Sequence, residues 1–405
     1  MHQTFLLTNV RLECGFTWQN DHVQGTECEL FTLEIAAGRI VARHPNTHRD
    51  TTLPHVDAGG MLMLPATRDM HIHLDKTFYG GPWRAARPNN EQNIEAMIAL
   101  EQQLLPTLLP HSVTRAQQLV ALLQQHGTTR IRSHCNIEPT SGLRSLEHLL
   151  RALESLPVTC DIVAFPQHGL LRPGVVPLMR EAMQLGCQWV GGLDPTRVDG
   201  AMEASLDQML DIALEAGSGV DMHLHEGAES GVAAINYLLD ALEQEPRLHQ
   251  RLTLSHAYCL AQINPATLAG LAERMAALGV SVASCLPLGK DTMPLPVLQQ
   301  YGVQLMTGTD SVIDHWSPFG SGSMLQKANL WAQLYTRGSE LELNRALGIA
   351  TGGILPLSAE GQQVWPASGD EADFILISAS CSAEVVARLP AVAVVYHQGS
   401  EVYRA

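Results

Sequence analysis

Between about residues 61 and 354 the chain repeats one pattern: a short apolar, often β-branched run, then a stretch whose apolar residues keep helical spacing. The runs fall near 67–73, 128–134, 158–166, 187–193, 219–225, 251–256, 279–285 and 302–309. Their near-continuous apolar character is what strands covered on both faces require, so they read as a parallel sheet rather than a sandwich. The segments between them, among them Ile94 to Leu100, Met202 to Glu215 and Ala233 to Leu242, have the periodicity of the covering helices. Eight such units in about 290 residues predict an α/β fold, a (β/α)8 barrel of the TIM type.

The two ends of the chain differ from this middle. Phe5 to Leu12, Leu30 to Ile35 and Gly38 to Val41 read as short strands with turns, closing at Asp57-Ala58-Gly59-Gly60, and Ala372 to Ile377 and Ala391 to Tyr396 have the same character. Two β-rich ends around a βα middle predict a small β-sandwich-like domain assembled from residues 1–60 and 355–405, beside a barrel of residues 61–354.

Composition narrows the function. A hydrophobic fraction of 45% over 405 residues supports a large core. A net charge of −16, from 41 acidic against 25 basic residues, repels a phosphate backbone and argues against a nucleic-acid partner. No apolar run has the length of a membrane span and no secretory leader opens the sequence, so a soluble, cytoplasmic protein without a membrane partner is expected. The eight cysteines never fall at C-x-x-C spacing and read as reduced, mostly buried thiols. A small molecule is the expected partner, and assembly into a homo-oligomer is compatible with the sequence.

The polar residues at the strand ends carry the chemistry. His71 and His73 end the first strand, His134 the second, Gln167 follows the third, Asp194 ends the fourth, His223 and His225 the fifth, His256 the sixth and Asp310 the eighth. These are the C-terminal ends, where barrel enzymes build their active sites. Histidines two apart on a strand share a face, so His71 and His73 can grip one ion. A third histidine and a carboxylate would complete a metal site with room for a reactant. Lys76, on an aromatic, glycine-containing segment running to Trp83, can meet substrate or pair with Asp75 or a nearby acid. His225 can touch substrate or support a ligand from behind.

With those residues in view, the chain resembles the amidohydrolase superfamily, in its bacterial cytosine deaminase-like branch. The resemblance is carried by Asp69-Met70-His71-Ile72-His73-Leu74-Asp75, Val163 to Gln167, Met222 to Glu226, Leu254-Ser255-His256 and Asp310-Ser311 with Trp316. The middle of the chain is also similar to N-isopropylammelide isopropylaminohydrolases, through Gly191-Gly192-Leu193-Asp194-Pro195 and Trp316-Ser317-Pro318-Phe319-Gly320. The resemblance implies a metal-dependent hydrolytic deaminase of nitrogen heterocycles such as aminopyrimidines or aminotriazines. One divalent ion, zinc or iron, is then expected on His71, His73, His223 and Asp310, with His256 beside the reactive water and Asp310 also in contact with it. Glu226 is expected to shuttle protons, and Gln167, His225, Ser311, Trp316 and Lys76 to meet the substrate. Relatives that hold two metals use a lysine at the end of strand 4. This chain has only Lys76, Lys290 and Lys327, which implies a mononuclear site.

Ser311 stands where cytosine deaminases carry a second Asp, so the pocket is expected to disfavour cytosine. The nearest rival is a metal-dependent hydrolase of a cyclic amide C–N bond. A phosphate site at Gly320-Ser321-Gly322-Ser323 is a weaker alternative, since so short a run is more often a turn before a helix.

Overall fold

The computed structural model describes residues 4–85, 93–289 and 291–405. Five strands come first: β1 (Phe5–Gln19), β2 (His22–Ala36), β3 (Arg39–Pro45), β4 (His55–Asp57) and β5 (Leu62–Pro65). The barrel strands are β6 (Thr67–Ile72), β7 (Thr128–Asn136), β8 (Thr159–Phe165), β9 (Trp189–Leu193), β10 (Gly219–Leu224), β11 (Leu252–His256), β12 (Ser281–Ser284) and β13 (Gln304–Thr307). Three more, β14 (Phe374–Ile377), β15 (Val392–His397) and β16 (Ser400–Arg404), complete the chain.

Strands β6 to β13 pair in sequence order, each parallel to the next. The ring is joined at its ends by a bridge between Ile72 and Asp310, in which Asp310 N–H donates to His71 O at 2.8 Å and His73 N–H to Asp310 O at 3.0 Å. Gly308 makes this approach feasible, because a Cβ there would stand 2.3 Å from the backbone oxygen of His71. The helices covering the barrel are α1 (Ile94–Gln125), α2 (Arg144–Leu153), α3 (Val175–Gln184), α4 (Met202–Ala216), α5 (Ala228–Gln244), α6 (Pro265–Leu278), α7 (Leu295–Gln300) and α8 (Met324–Leu334). The sequence thus predicted all eight strands, and each boundary follows the switch from apolar runs to helical spacing.

The terminal strands form one hydrogen-bonded sheet, ordered β16-β15-β14-β5-β1-β2-β3 with β4 on β1. Its two faces follow the period of two in a strand. Leu62, Leu64, Ile375 and Ile377 pack into the barrel's core, whereas Met63, Phe374, Leu376 and Tyr396 pack into a separate core with Phe5, Leu7 and Leu33. Strand β5 lies beyond residue 60 and pairs with β14 and β1. The hairpin of β1 and β2 is longer than the apolar pattern predicts. It runs past Leu12 to a two-residue turn at Asn20-Asp21, both with positive φ, and back through polar residues such as Glu27 and Glu29. That stretch is largely solvated, so its alternation carries little hydrophobic signal. No described helix is long and apolar enough to cross a membrane, and all eight cysteines are free thiols.

Candidate active site

A cavity of about 350 Å³ opens at the C-terminal ends of the barrel strands. His73, His223, His225, His256, Asp310, Gln167, Lys76, Ser311 and Trp316 all line it, joined by Asp194, Arg197 and Tyr258. Three of these strand-end residues have left-handed backbone: Asp194 (φ 36°), His256 (φ 68°) and Asp310 (φ 66°). Such conformations are costly for residues with a Cβ and cluster at functional sites.

At the floor, four side chains converge. Nε2 of His223 is 3.3 Å from Nε2 of His73, and Oδ1 of Asp310 is 3.5 Å from Nε2 of His71 and 3.7 Å from Nε2 of His73. Ligand atoms held about 2.1 Å from a tetrahedral zinc lie about 3.4 Å from one another, so each of these three spacings suits a pair of ligands on one cation. Burial, followed by the neighbouring charges of Lys76 and His134, pushes the His73 pKa far down. Burial and the surrounding histidines do the same to His223 and His256. A lowered pKa favours the neutral ring, the form that ligates metal. Burial alone would raise the pKa of Asp310, but the facing imidazoles of His256, His71 and His73 hold it well below the usual carboxylate range.

The orientation of His71 is set from behind. Ser255 Oγ donates to Asp221 Oδ1 at 2.6 Å and so accepts from Nδ1 of His71 at 2.9 Å, which leaves Nε2 of His71 to face the cluster. That Nε2 is buried with no hydrogen-bond partner, as is Nε2 of His256. Asp221 is itself held by Arg132 at 2.9 Å and lies 3.2 Å from His134. His134 is fully buried beneath the cluster and does not line the cavity, though its ring nitrogens come close to those of His71 and His223. Two groups of described residues could hold a metal ion, His71 with His134 and His223, and His71 with His256 and Asp310.

The cavity wall divides into donors and acceptors. Lys76, only 1% exposed, donates to Gln167 Oε1, so the amide nitrogen of Gln167 is left for the cavity. The acid that balances Lys76 is Glu101 of α1, at 3.5 Å, and not Asp75, which accepts from the backbone of Asn136. Glu101 also meets His315 at 2.8 Å and His168 at 3.4 Å. Burial works against its charge, but Lys76, His315 and His168 outweigh it and hold its pKa far down. Ser311 Oγ donates to Asp314 Oδ2 at 2.6 Å, and Asp314 Oδ1 accepts from the backbone of Trp316 and Ser317.

Glu226, expected to shuttle protons, is buried, and its Oε2 has no hydrogen-bond partner among the described residues. Its Oε1 accepts from the backbone N–H groups of Thr196 and Arg197, at 2.8 and 2.9 Å, and the residue does not line the cavity. It holds the turn after β9. His225 lines the cavity instead, with Nδ1 3.0 Å from Asp194 Oδ2. Neither Phe78, Tyr79 nor Trp83 lines the cavity: Phe78 is buried and bonds through its N–H to Ile313 O, and Trp83 is 69% exposed. Gly320 to Ser323 are an irregular segment whose last residue, Ser323, caps α8 by accepting from Gln326 N–H. Glu101, Asp221, Asp314 and Arg197 were not singled out from sequence. Asp221 alone had a local signal, standing two residues before His223 on the same strand face.

A barrel whose mouth gathers histidines and a carboxylate that could hold a metal defines a class of hydrolytic enzymes rather than a binding scaffold. The comparisons with known proteins agree. Residues 91–403 match the amidohydrolase family model. The chain is 54% identical over 402 residues to the uncharacterized protein YahJ of Escherichia coli (strain K12), covering 98% of this chain and 87% of that one. The crystal structure of N-isopropylammelide isopropylaminohydrolase from Burkholderia multivorans ATCC 17616 superposes with a TM-score of 0.87 at 29% identity, over 99% and 98% of the two chains. That of 5-methylcytosine deaminase from Klebsiella pneumoniae superposes at 0.80 and 22% identity, over 99% and 98%. The chain belongs to the amidohydrolase family.

Proposed function

We propose that this protein is a metal-dependent hydrolase that removes an exocyclic amino or substituted amino group from a nitrogen heterocycle. The observation that carries the reading is the adjacency, at one cavity, of the His71, His73, His223 and Asp310 cluster and the His225 and Asp194 pair, with the His223 and His225 rings 5.7 Å apart. The structural likeness to an isopropylaminohydrolase supports the reaction type.

One divalent ion, zinc or iron, held by His71, His73, His223 and Asp310 would supply Lewis acidity. The protein's own groups do the rest. Gln167 presents its amide N–H to a ring oxo group, with Lys76 fixing which way the amide points. Trp316 forms part of the wall beside a flat ring. His256 turns Nε2 toward the site, where it can stabilise negative charge developing on oxygen as the ring carbon is attacked. With Asp194 accepting from Nδ1, His225 has Nε2 free to take a proton from the attacking water and pass it to the ring nitrogen, and then to move the water's second proton to the departing amine.

The test is a screen of aminopyrimidines, aminotriazines and pterins, including N-alkylated members, for release of ammonia or amine. Release from at least one member, with catalytic efficiency in the range of ordinary enzymes, is expected. Turnover only of cyclic amides, with the ring opened, would replace this reading by that of a cyclic amide hydrolase.

A further inference from the structure

Most charged groups on the cavity wall have a polar partner, and one does not. Lys76 is balanced by Glu101, Asp194 by His225, and Asp310 faces His71 and His73. Arg197 also lines the cavity, yet among the described residues its guanidinium has no hydrogen-bond or ion-pair partner. The backbone beneath it is held at several points. Glu226 accepts from the N–H groups of Thr196 and Arg197, Val198 N–H donates to Asp194 O at 2.8 Å, and Asp199 accepts from Leu171 N–H and Ser205 Oγ. A fixed backbone thus carries an exposed, unpaired guanidinium to the mouth of the site.

We propose that Arg197 selects heterocycles that carry a carboxylate, an inference that rests on the deaminase reading of the same cavity and names its substrate class. A guanidinium forks onto a planar carboxylate with two parallel hydrogen bonds, and Arg197 has no other group among the described residues to fork onto. A phosphate dianion would leave surplus negative charge close to Asp194 and Asp310. The protein as a whole is strongly acidic, so the attraction is local to this residue. Glu226 acts here as a positioning residue, because it fixes the turn that presents Arg197.

Ring products lack the amine and can be measured without turnover. Calorimetric titration of the metal-loaded protein with uracil and with its 5- and 6-carboxylates is the direct test. At least one carboxylate should bind about tenfold or more tightly than uracil, and in Arg197→Gln that ratio should fall to near one. Equal affinities in the parent, no binding of any of the three, or a ratio that survives Arg197→Gln overturns the proposal. The two readings fail separately. A chain that keeps the carboxylate preference but releases amine from no heterocycle retires the deaminase reading alone, and an active deaminase without the preference retires this one alone.

Discussion

Asp194 reaches one residue twice: Oδ2 lies 3.0 Å from Nδ1 of His225 while Oδ1 accepts the backbone N–H of His225 at 2.6 Å. This double contact locks the imidazole against rotation and gives it one tautomer, so Nε2 is the atom offered to a reactant. His225→Asn should therefore lower turnover on the order of 10²–10⁴-fold while the metal stays bound. Glu226→Gln keeps an oxygen that can accept from Thr196 and Arg197, and its turnover should stay within a few-fold of the parent. Steady-state kinetics on the pair decide which residue carries the proton; collapse in Glu226→Gln with activity retained in His225→Asn would reverse the assignment.

The cluster at the barrel floor should hold one divalent ion per chain. Elemental analysis of purified protein is expected to give a ratio near one, and His223→Ala should lose both metal and activity. A stable ratio near two would show that His134, close to His71 and His223, takes part in a second site.

Cytosine should be a poor substrate. The hydroxyl hydrogen of Ser311 is committed to Asp314, so Ser311 offers the cavity only a neutral acceptor. A ring group that pairs with a full carboxylate in a cytosine deaminase would here be under-satisfied, at about 1–3 kcal/mol. Ranking kcat/KM for cytosine among larger aminated heterocycles tests this, and cytosine at the head of the ranking contradicts it.

Much of this site could be read in the sequence because strand-end histidines and carboxylates lie in local motifs whose spacing fixes a common face. His71 and His73, His223 and His225, and Asp310 are all of this kind. The partners that orient them are not. Glu101 comes from the middle of a covering helix, yet it joins Lys76, His168 and His315, which lie in three different loops or strand ends. Nothing within a few residues of Glu101 announces that it is buried. Glu226 shows the converse: its proximity to His223 suggests chemistry, and the fold adds what no local motif announces, Oε1 accepting from the backbone N–H groups of Thr196 and Arg197 while the buried Oε2 has no hydrogen-bond partner.

The same buried network sets a pH dependence of stability. Burial alone would depress His168, but contacts with Glu101 and Glu138 raise its pKa above 6.5. Glu138 would be raised by burial, but His168 and Ser141 hold it below 4.5. The His168 contribution is complete below its unfolded pKa and is lost as pH rises through the folded value. That of Glu138 is complete above its unfolded pKa and is lost as pH falls. His168→Gln should thus cost most stability at about pH 5 to 6 and less at about pH 9, as followed by chemical denaturation. An equal loss at both would show that packing, and not charge, is what His168 contributes.

The most direct test of the central claim is the fate of the C–N bond in ¹⁸O-labelled water. Hydrolytic deamination predicts a product that has lost its exocyclic amine, keeps its ring closed and carries one ¹⁸O on the ring carbon, with the amine recovered in equal amount by mass spectrometry. A product that gains labelled water while keeping every nitrogen, its ring open, would contradict it.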